Sequence, residues 1–319
     1  MKGKIDPARL NDLVFPFLGV KSDTVLIGPK TGEDAAVLDL GELHIVVSSD
    51  PITGAKDSIG WYSVNVNAND IATMGAVPRY FLPVIMLNES STEEDLKKIM
   101  EDIDNACKEL NISVIGGHSE VTPNLKETII SASIIGIIKK NNKVLSSSGA
   151  KAGDRIVLTK GAGIEGTSIL AHDFSDLLVE KVDGVLLERA KIYMSSLSVV
   201  KEALIARNYA TAMHDPTEGG VLGGIHELCD ASEKGFSVDI SKIITNEETK
   251  VICEALEVDP LALIGSGALL ITCPEKYAQK LVKELEENNI RSSIIGEIRE
   301  GKEDRNLPRV EQDEIWRFM

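Results

Sequence analysis

The chain has 319 residues, 43% of them hydrophobic, enough to bury one large or two moderate cores, and two domains of ordinary size are expected. A formal net charge of -16, relieved only by short basic pairs such as Lys97-Lys98 and Lys139-Lys140, excludes an extended surface for phosphate backbones or anionic lipid, so neither nucleic acid nor membrane is an expected partner. Cys107, Cys229, Cys253 and Cys273 lie far apart with no Cys-x-x-Cys pair, which argues against a zinc site or a disulfide framework and reads as buried thiols in a reducing cytoplasm.

Met1 to Leu18 lacks a continuous apolar stretch of signal-peptide length, and no later run reaches the roughly 20 apolar residues that span a bilayer. His44 to Ser49 predicts a short strand ending at Asp50-Pro51. Asp57 to Met74 predicts a helix closed by Gly75 and Pro78. Ser91-Thr92-Glu93-Glu94 offers a capping box for the next helix, whose Leu96, Ile99, Ile103, Ala106 and Leu110 keep helical spacing. Ile112 to Ile115 is strand-like and runs into Gly116-Gly117, and Thr128 to Ile138 predicts a long strand. The polar stretch Asn141 to Asp154 reads as a linker, dividing the chain into domains 1–150 and 151–319. Beyond it come a strand (Arg155 to Thr159), a turn with Gly161, Gly163 and Gly166 leading to a helix, and one long helical stretch from about Leu186 to Ala206. A helix after Gly219-Gly220, strands around Phe236 to Ile240 and Ala268 to Thr272, a helix from Glu275 to Glu287 and a strand near Ser292 to Ile295 complete a mixed α/β pattern.

Acidic residues recur where strands are predicted to end: Asp34 in Gly32-Glu33-Asp34-Ala35-Ala36, Asp50 in Ser48-Ser49-Asp50-Pro51, and Asp215 in His214-Asp215-Pro216-Thr217. Asp70, in Asn69-Asp70-Ile71-Ala72, is the fourth. Each alone fits an N-cap or turn former. Together they suit Mg²⁺, which prefers hard oxygen donors and bridges phosphates, so that an acidic chain can still bind a nucleotide. Asn65, Asn67, Asn69 and Asp70 are poor residues for a helix interior, so something other than helix formation selects them: a ligand site at the helix edge, or a polar interface. Gly116-Gly117, Lys160-Gly161-Ala162-Gly163 and Gly219-Gly220 offer turns whose N–H groups can meet phosphate, although none matches a Walker A or complete dinucleotide fingerprint. His118 and His214 flank these turns, either as acid-base groups or as ordinary loop histidines.

Taken in order, Gly32-Glu33-Asp34-Ala35-Ala36-Val37, Ser49-Asp50, Ala68-Asn69-Asp70-Ile71-Ala72, Met74-Gly75-Ala76 with Pro78-Arg79, Gly116-Gly117 and Asp215-Pro216-Thr217-Glu218-Gly219-Gly220 resemble the superfamily of aminoimidazole ribonucleotide (AIR) synthase, most closely its HypE-like branch. The resemblance runs from about Gly32 to about Ile295. It implies a two-domain α/β (α+β) fold of the PurM-like type, with an N-terminal domain forming a dimeric β-barrel and a C-terminal α/β sandwich, and with ATP between the domains. It implies Asp34, Asp50, Asp70 and Asp215 as Mg²⁺ ligands, and Asn69, Gly116, Gly117 and Gly219 along the phosphate path. Lys160, Gly161, Gly163, Thr217 and Gly220 are the further candidates for nucleotide contact. His118, Glu120, His214 and Glu218 are the candidate acid-base groups. The implied chemistry is activation of an oxygen, of a small molecule or of a carbamoyl group, by phosphoryl transfer from ATP. Activities like those of thiamine monophosphate kinase or AIR synthase are alternatives, as is a non-catalytic nucleotide-binding partner of a maturation protein. Two departures bear on this. HypE proteins end in a cysteine that carries the reacting group, whereas the last cysteine here is Cys273. Where HypE and thiamine monophosphate kinase commonly carry Asp after the double glycine this chain has His118, with Glu120 as the alternative ligand.

Overall fold

The computed structural model describes residue 5 and residues 7–53, 55 and 57–319, so the start of the expected first domain lies partly outside the described residues. In chain order the elements are α1 (Pro7–Leu13), β1 (Val25–Ile27), β2 (Ala36–Asp39), β3 (Leu43–Ile52), α2 (Ile59–Thr73), β4 (Val77–Leu87), α3 (Glu93–Leu110), β5 (Ser113–Val114), β6 (His118–Val121) and β7 (Ile129–Lys139). There follow β8 (Asp154–Thr159), α4 (Ile164–Asp173), α5 (Ser175–Leu178), α6 (Gly184–Lys191), α7 (Val200–Ala206), β9 (Ala212–His214), α8 (Gly220–Ala231), β10 (Gly235–Val238), α9 (Glu247–Leu256), β11 (Leu270–Pro274), α10 (Glu275–Glu287) and β12 (Ser292–Arg299).

The first sheet runs β1-β2-β3-β7-β4, with β5 and β6 following each other along the outer side of β4. Alternation fixes its buried face. Ile130, Ala132, Ile134 and Ile138 of β7 and Phe81 and Ile85 of β4 turn toward α2 and α3, as a period of two requires. The opposite face, with Ile45, Val47, Ile135, Ile137, Leu82 and Val84, is only partly covered. The second sheet, β10-β12-β8-β11-β9, is antiparallel throughout and covered on both faces. Val157 and Ile271 join the core containing Ala278, Leu281 and Leu285 of α10, while Ile156, Leu158 and Leu270 join Val221, Ile225 and Leu228 of α8.

The amphipathic elements follow the sequence reading closely. α3 buries Ile99, Ile103, Ala106 and Cys107, and α10 spans the predicted residues. The capping box of α3 is Thr92 with Asp95, one residue later than the Ser91 to Glu94 spacing first indicates. Two expectations need correction. The stretch from Leu186 to Ala206 is not one helix: α6 passes into a 3-10 turn at Ile192–Ser196, and α7 begins only at Val200. Lys160 binds the carbonyls of Ser196 and Ser198 at 2.8 and 2.7 Å, holding that break. The Asn141 to Asp154 stretch is no solvated spacer either, because Leu145, Ser147 and Ala150 are buried and Ser146 and Ser147 bind Glu33. All four cysteines are buried and unpaired, and among the described residues no helix is long and apolar enough to cross a membrane.

Gly136 of β7 lies where α2 meets the sheet. A Cβ there would stand 2.1 Å from Ile71 Cγ2 and 3.2 Å from Ala76 Cβ. Gly136→Ala is therefore expected to lower unfolding free energy by about 1–3 kcal/mol in urea titration, while Gly184→Ala, whose Cβ would meet nothing within 4 Å, leaves it unchanged or slightly higher.

Candidate functional site

α2 is the element on which the site is built. Every residue of it except Trp61 is buried, so its polar side chains must find partners inside the protein. Asn65 returns to the Trp61 carbonyl at 3.0 Å. Asn67 Oδ1 accepts from the Asp50 N–H at 3.0 Å while its Nδ2 donates to the Ser63 carbonyl. Asn69 reaches into the second half of the chain: Nδ2 donates to Asp215 Oδ2 at 3.0 Å and to the Leu197 carbonyl, and Oδ1 accepts from the Val199 N–H at 2.7 Å. Asp70 accepts from Ser48 Oγ at 2.7 Å, and Ser48 also contacts the Asp34 carbonyl oxygen. Asn67, Asn69 and Asp70 thus each bind or adjoin one of Asp50, Asp215 and Asp34.

The result is a buried concentration of negative charge. Burial, with the charges of Asp50 and Asp34, holds the Asp70 carboxyl well above the usual carboxylate range. Asp215 is pushed up to about 8 by burial, against the lowering effect of the Asn69 hydrogen bond. Asp34 Oδ2 and Asp215 Oδ1 are buried without a hydrogen-bond partner. Among the described residues no three of His, Cys, Asp and Glu close into one coordination shell. Orphaned carboxylate oxygens with open positions fit Mg²⁺, which retains water and takes substrate phosphate oxygens rather than a full protein cage.

His214, an expected acid-base group, has another place. Its Nδ1 lies 2.8 Å from Asp34 Oδ1 and its Nε2 lies 2.9 Å from Glu227 Oε2. Burial alone would lower its pKa, but the two carboxylates raise it to about 10. A cationic ring with both nitrogens engaged orients Asp34 and has no free site for a proton. His118 and Glu120 bind each other at 3.2 Å on the exposed strand β6. Asp50 pairs with Ala132, Ala132 with Pro83, and Gly117 abuts Pro83, so this edge is three strand spacings, on the order of 14 Å, from Asp50 of the same chain.

The three glycine turns separate equally clearly. A Cβ on Gly117 would stand 2.4 Å from the Pro83 carbonyl oxygen, so this glycine lets the chain pass close to β4. In the second turn Gly161 and Ala162 donate to the Thr159 and Ile244 carbonyls, and Lys160 is held by two carbonyls and by Glu202 at 2.8 Å. That turn fastens α4. Gly219-Gly220 does adjoin the acidic site, but the Gly219 N–H is bound by Asp313 at 2.5 Å and the Gly220 N–H by the Thr217 carbonyl.

Beside Asp50 the two halves of the chain enclose a cavity of about 410 Å³, whose wall includes Val66, Glu165, Thr217, Glu218, Ser266 and Trp316. Four residues that support the acidic cluster or the cavity escaped the sequence reading. Glu227 stands too far along the chain from His214 for any local motif. Glu165 sits in an ordinary helical first turn. Asp313 and Trp316 follow the last predicted element, yet Asp313 also binds the N–H groups of Ile264 and Ile315, and Trp316 Nε1 donates to Glu218.

A PurM-like two-domain fold, with a carboxylate cluster and an adjoining cavity at the junction of its halves, defines the class of protein. The chain belongs to the AIR synthase related protein family: residues 32–138 match its N-terminal domain and residues 151–306 its C-terminal domain. A Methanocaldococcus jannaschii protein named for hydrogenase expression/formation is 28% identical over 307 residues, covering 92% of this chain and 88% of its own. The carbamoyl dehydratase HypE of Azotobacter vinelandii is 27% identical over 257 residues, covering 78% of this chain and 73% of its own. The crystal structure of the hydrogenase maturation protein HypE in complex with ATP superimposes with a TM-score of 0.72 at 21% identity, over 97% of this chain and 95% of that one.

Burial raises Glu165 to about 7 from its usual 4.5, against the pull of Ser266. The folded protein favours its protonated form, so its contribution to stability is complete below about pH 4.5 and is lost as pH rises through about 7. Glu165→Gln is expected to match the parent near pH 4 and to exceed it by roughly 3 kcal/mol near pH 8, in urea unfolding with chelator present.

Proposed function

We propose that the chain is an ATP-dependent phosphoryl-transfer enzyme that activates an oxygen of a small molecule, with units 1–150 and 151–319 meeting at the nucleotide site. The observation that carries this reading is the convergence of Asp34, Asp50, Asp70 and Asp215, two of them with orphaned oxygens, next to a cavity. Mg²⁺ held by these four would neutralise the charge on ATP, whose γ-phosphoryl group is the one transferred. Asn67 and Asn69 orient Asp50 and Asp215, and His214 with Glu227 orients Asp34. The acceptor enters the cavity with its oxygen toward Asp50, and Thr217 and Glu218 form the wall on the side of the Gly219-Gly220 turn. Lys160 and Gly161 fasten the turn before α4 and Gly117 lies against β4, so this reading assigns them no nucleotide contact within the same chain.

Calorimetric titration with ATP, with and without Mg²⁺, tests the reading. Asp70→Asn and Asp215→Asn are each expected to weaken Mg-ATP binding by roughly tenfold or more while the metal-free protein stays folded, because the carboxylates serve an ion and not a core. Both variants binding like the parent would remove the metal assignment. ADP release stimulated by one metabolite would identify the acceptor. Tight binding with no turnover on any acceptor would favour a nucleotide-binding maturation partner.

The half-covered apolar face of the first sheet, with Val84 37% and Tyr80 39% exposed, supports a homodimer in which two such sheets close on each other. Light scattering is expected to report a dimer for the parent and a monomer for Val84→Glu. A monomeric parent would end this part of the reading.

A further inference from the structure

The cavity beside Asp50 has a chemical character that the nucleotide does not explain. Its wall combines Ile52, Val66, Ile169 and Trp316 with the carboxylates of Glu165 and Glu218. Among the described residues no lysine, arginine or histidine lines it. Glu165 is 5% exposed, and its Oε2 has no hydrogen-bond partner. Ser266, also in the wall and fully buried, hydrogen-bonds the same carboxyl. A buried carboxylate oxygen left open on the wall calls for a ligand that supplies a donor, since an unmade buried hydrogen bond is unfavourable.

We propose that the acceptor is a cationic small molecule, an amine with an apolar body, whose ammonium group binds the open oxygen of Glu165 beside Ser266 while its body lies against Ile52, Val66, Ile169 and Trp316. Phosphate esters are the disfavoured class. Their dianionic group would face Glu165 and Glu218 with no cation in the described wall to offset them, and like charges brought together in a desolvated site repel. Asp50 adds no preference of its own when it is engaged by Mg²⁺. The inference rests on the proposed function for the oxygen at the acceptor's other end, whereas the preference for a cation belongs to the wall itself.

Three probes of similar body separate the possibilities: tyramine, 4-ethylphenol and phenyl phosphate, each titrated calorimetrically at pH 8, where Glu165 is ionised, into the whole protein with Mg²⁺ and ATP present. Tyramine is expected to bind about tenfold or more tightly than 4-ethylphenol, as for a hydrogen bond to a charged group, and phenyl phosphate to bind most weakly. Glu165→Gln should bring tyramine to the level of 4-ethylphenol. Phenyl phosphate binding as well as tyramine, equal affinities for tyramine and 4-ethylphenol in the parent, or no binding of any probe would each overturn the inference. Because ATP binding is measured in the same preparation, the two readings fail separately. ATP binding without a preference for the amine removes only the acceptor class, and a preference for the amine without ATP binding removes only the phosphoryl-transfer reading.

Discussion

A helix buried on nearly all sides, yet carrying three asparagines and an aspartate, is the constraint on which the rest of the molecule depends. Desolvated amides and carboxyls are tolerated only with partners, and α2 draws its partners from both halves of the chain. Asn69 alone binds Asp215 and the main chain at Leu197 and Val199, so the orientation of the second sheet is written partly in one amide. Close packing against β7 fixes the same helix from the other side, where Gly136 admits Ile71. Fold and site therefore share one element.

The site trades stability for charge. Asp70, Asp215 and Glu165 are all held above their ordinary range, which means that the protein without ligand carries carboxyls it would prefer to protonate. Such a cost persists only when surrounding structure enforces it. His214 is the internal counterweight. Bridging Asp34 and Glu227, it offsets part of the negative charge.

The segment after β12 illustrates how remote sequence completes such a site. Asp313 receives N–H groups from Gly219, Ile264 and Ile315, and so holds together the turn after Asp215, one cavity wall and the final 3-10 turn. Burial lifts its carboxyl to about 6 despite those bonds. A hydrogenase maturation protein HypE shares the fold at 21% identity, which shows that this architecture tolerates wide change in sequence.

Element types were legible from sequence wherever one face alternates or repeats, as in α3, α10 and β7, because the period of buried residues follows directly from backbone geometry. The four aspartates stood out as well, through order along the chain and through the improbability of Asn-x-Asn-x-Asn-Asp inside a helix. What sequence could not decide was what each glycine turn packs against. Gly117, Gly161 and Gly219 look alike locally, and only their neighbours, Pro83, Ile244 and Asp313, tell them apart. Nor could it show that His214 is locked between Asp34 and Glu227, or that Glu165 faces a cavity. Periodicity and local composition record each residue's own backbone conformation, whereas charge state, orphaned hydrogen bonds and cavity walls arise from groups that are distant in sequence and meet only when the chain is folded.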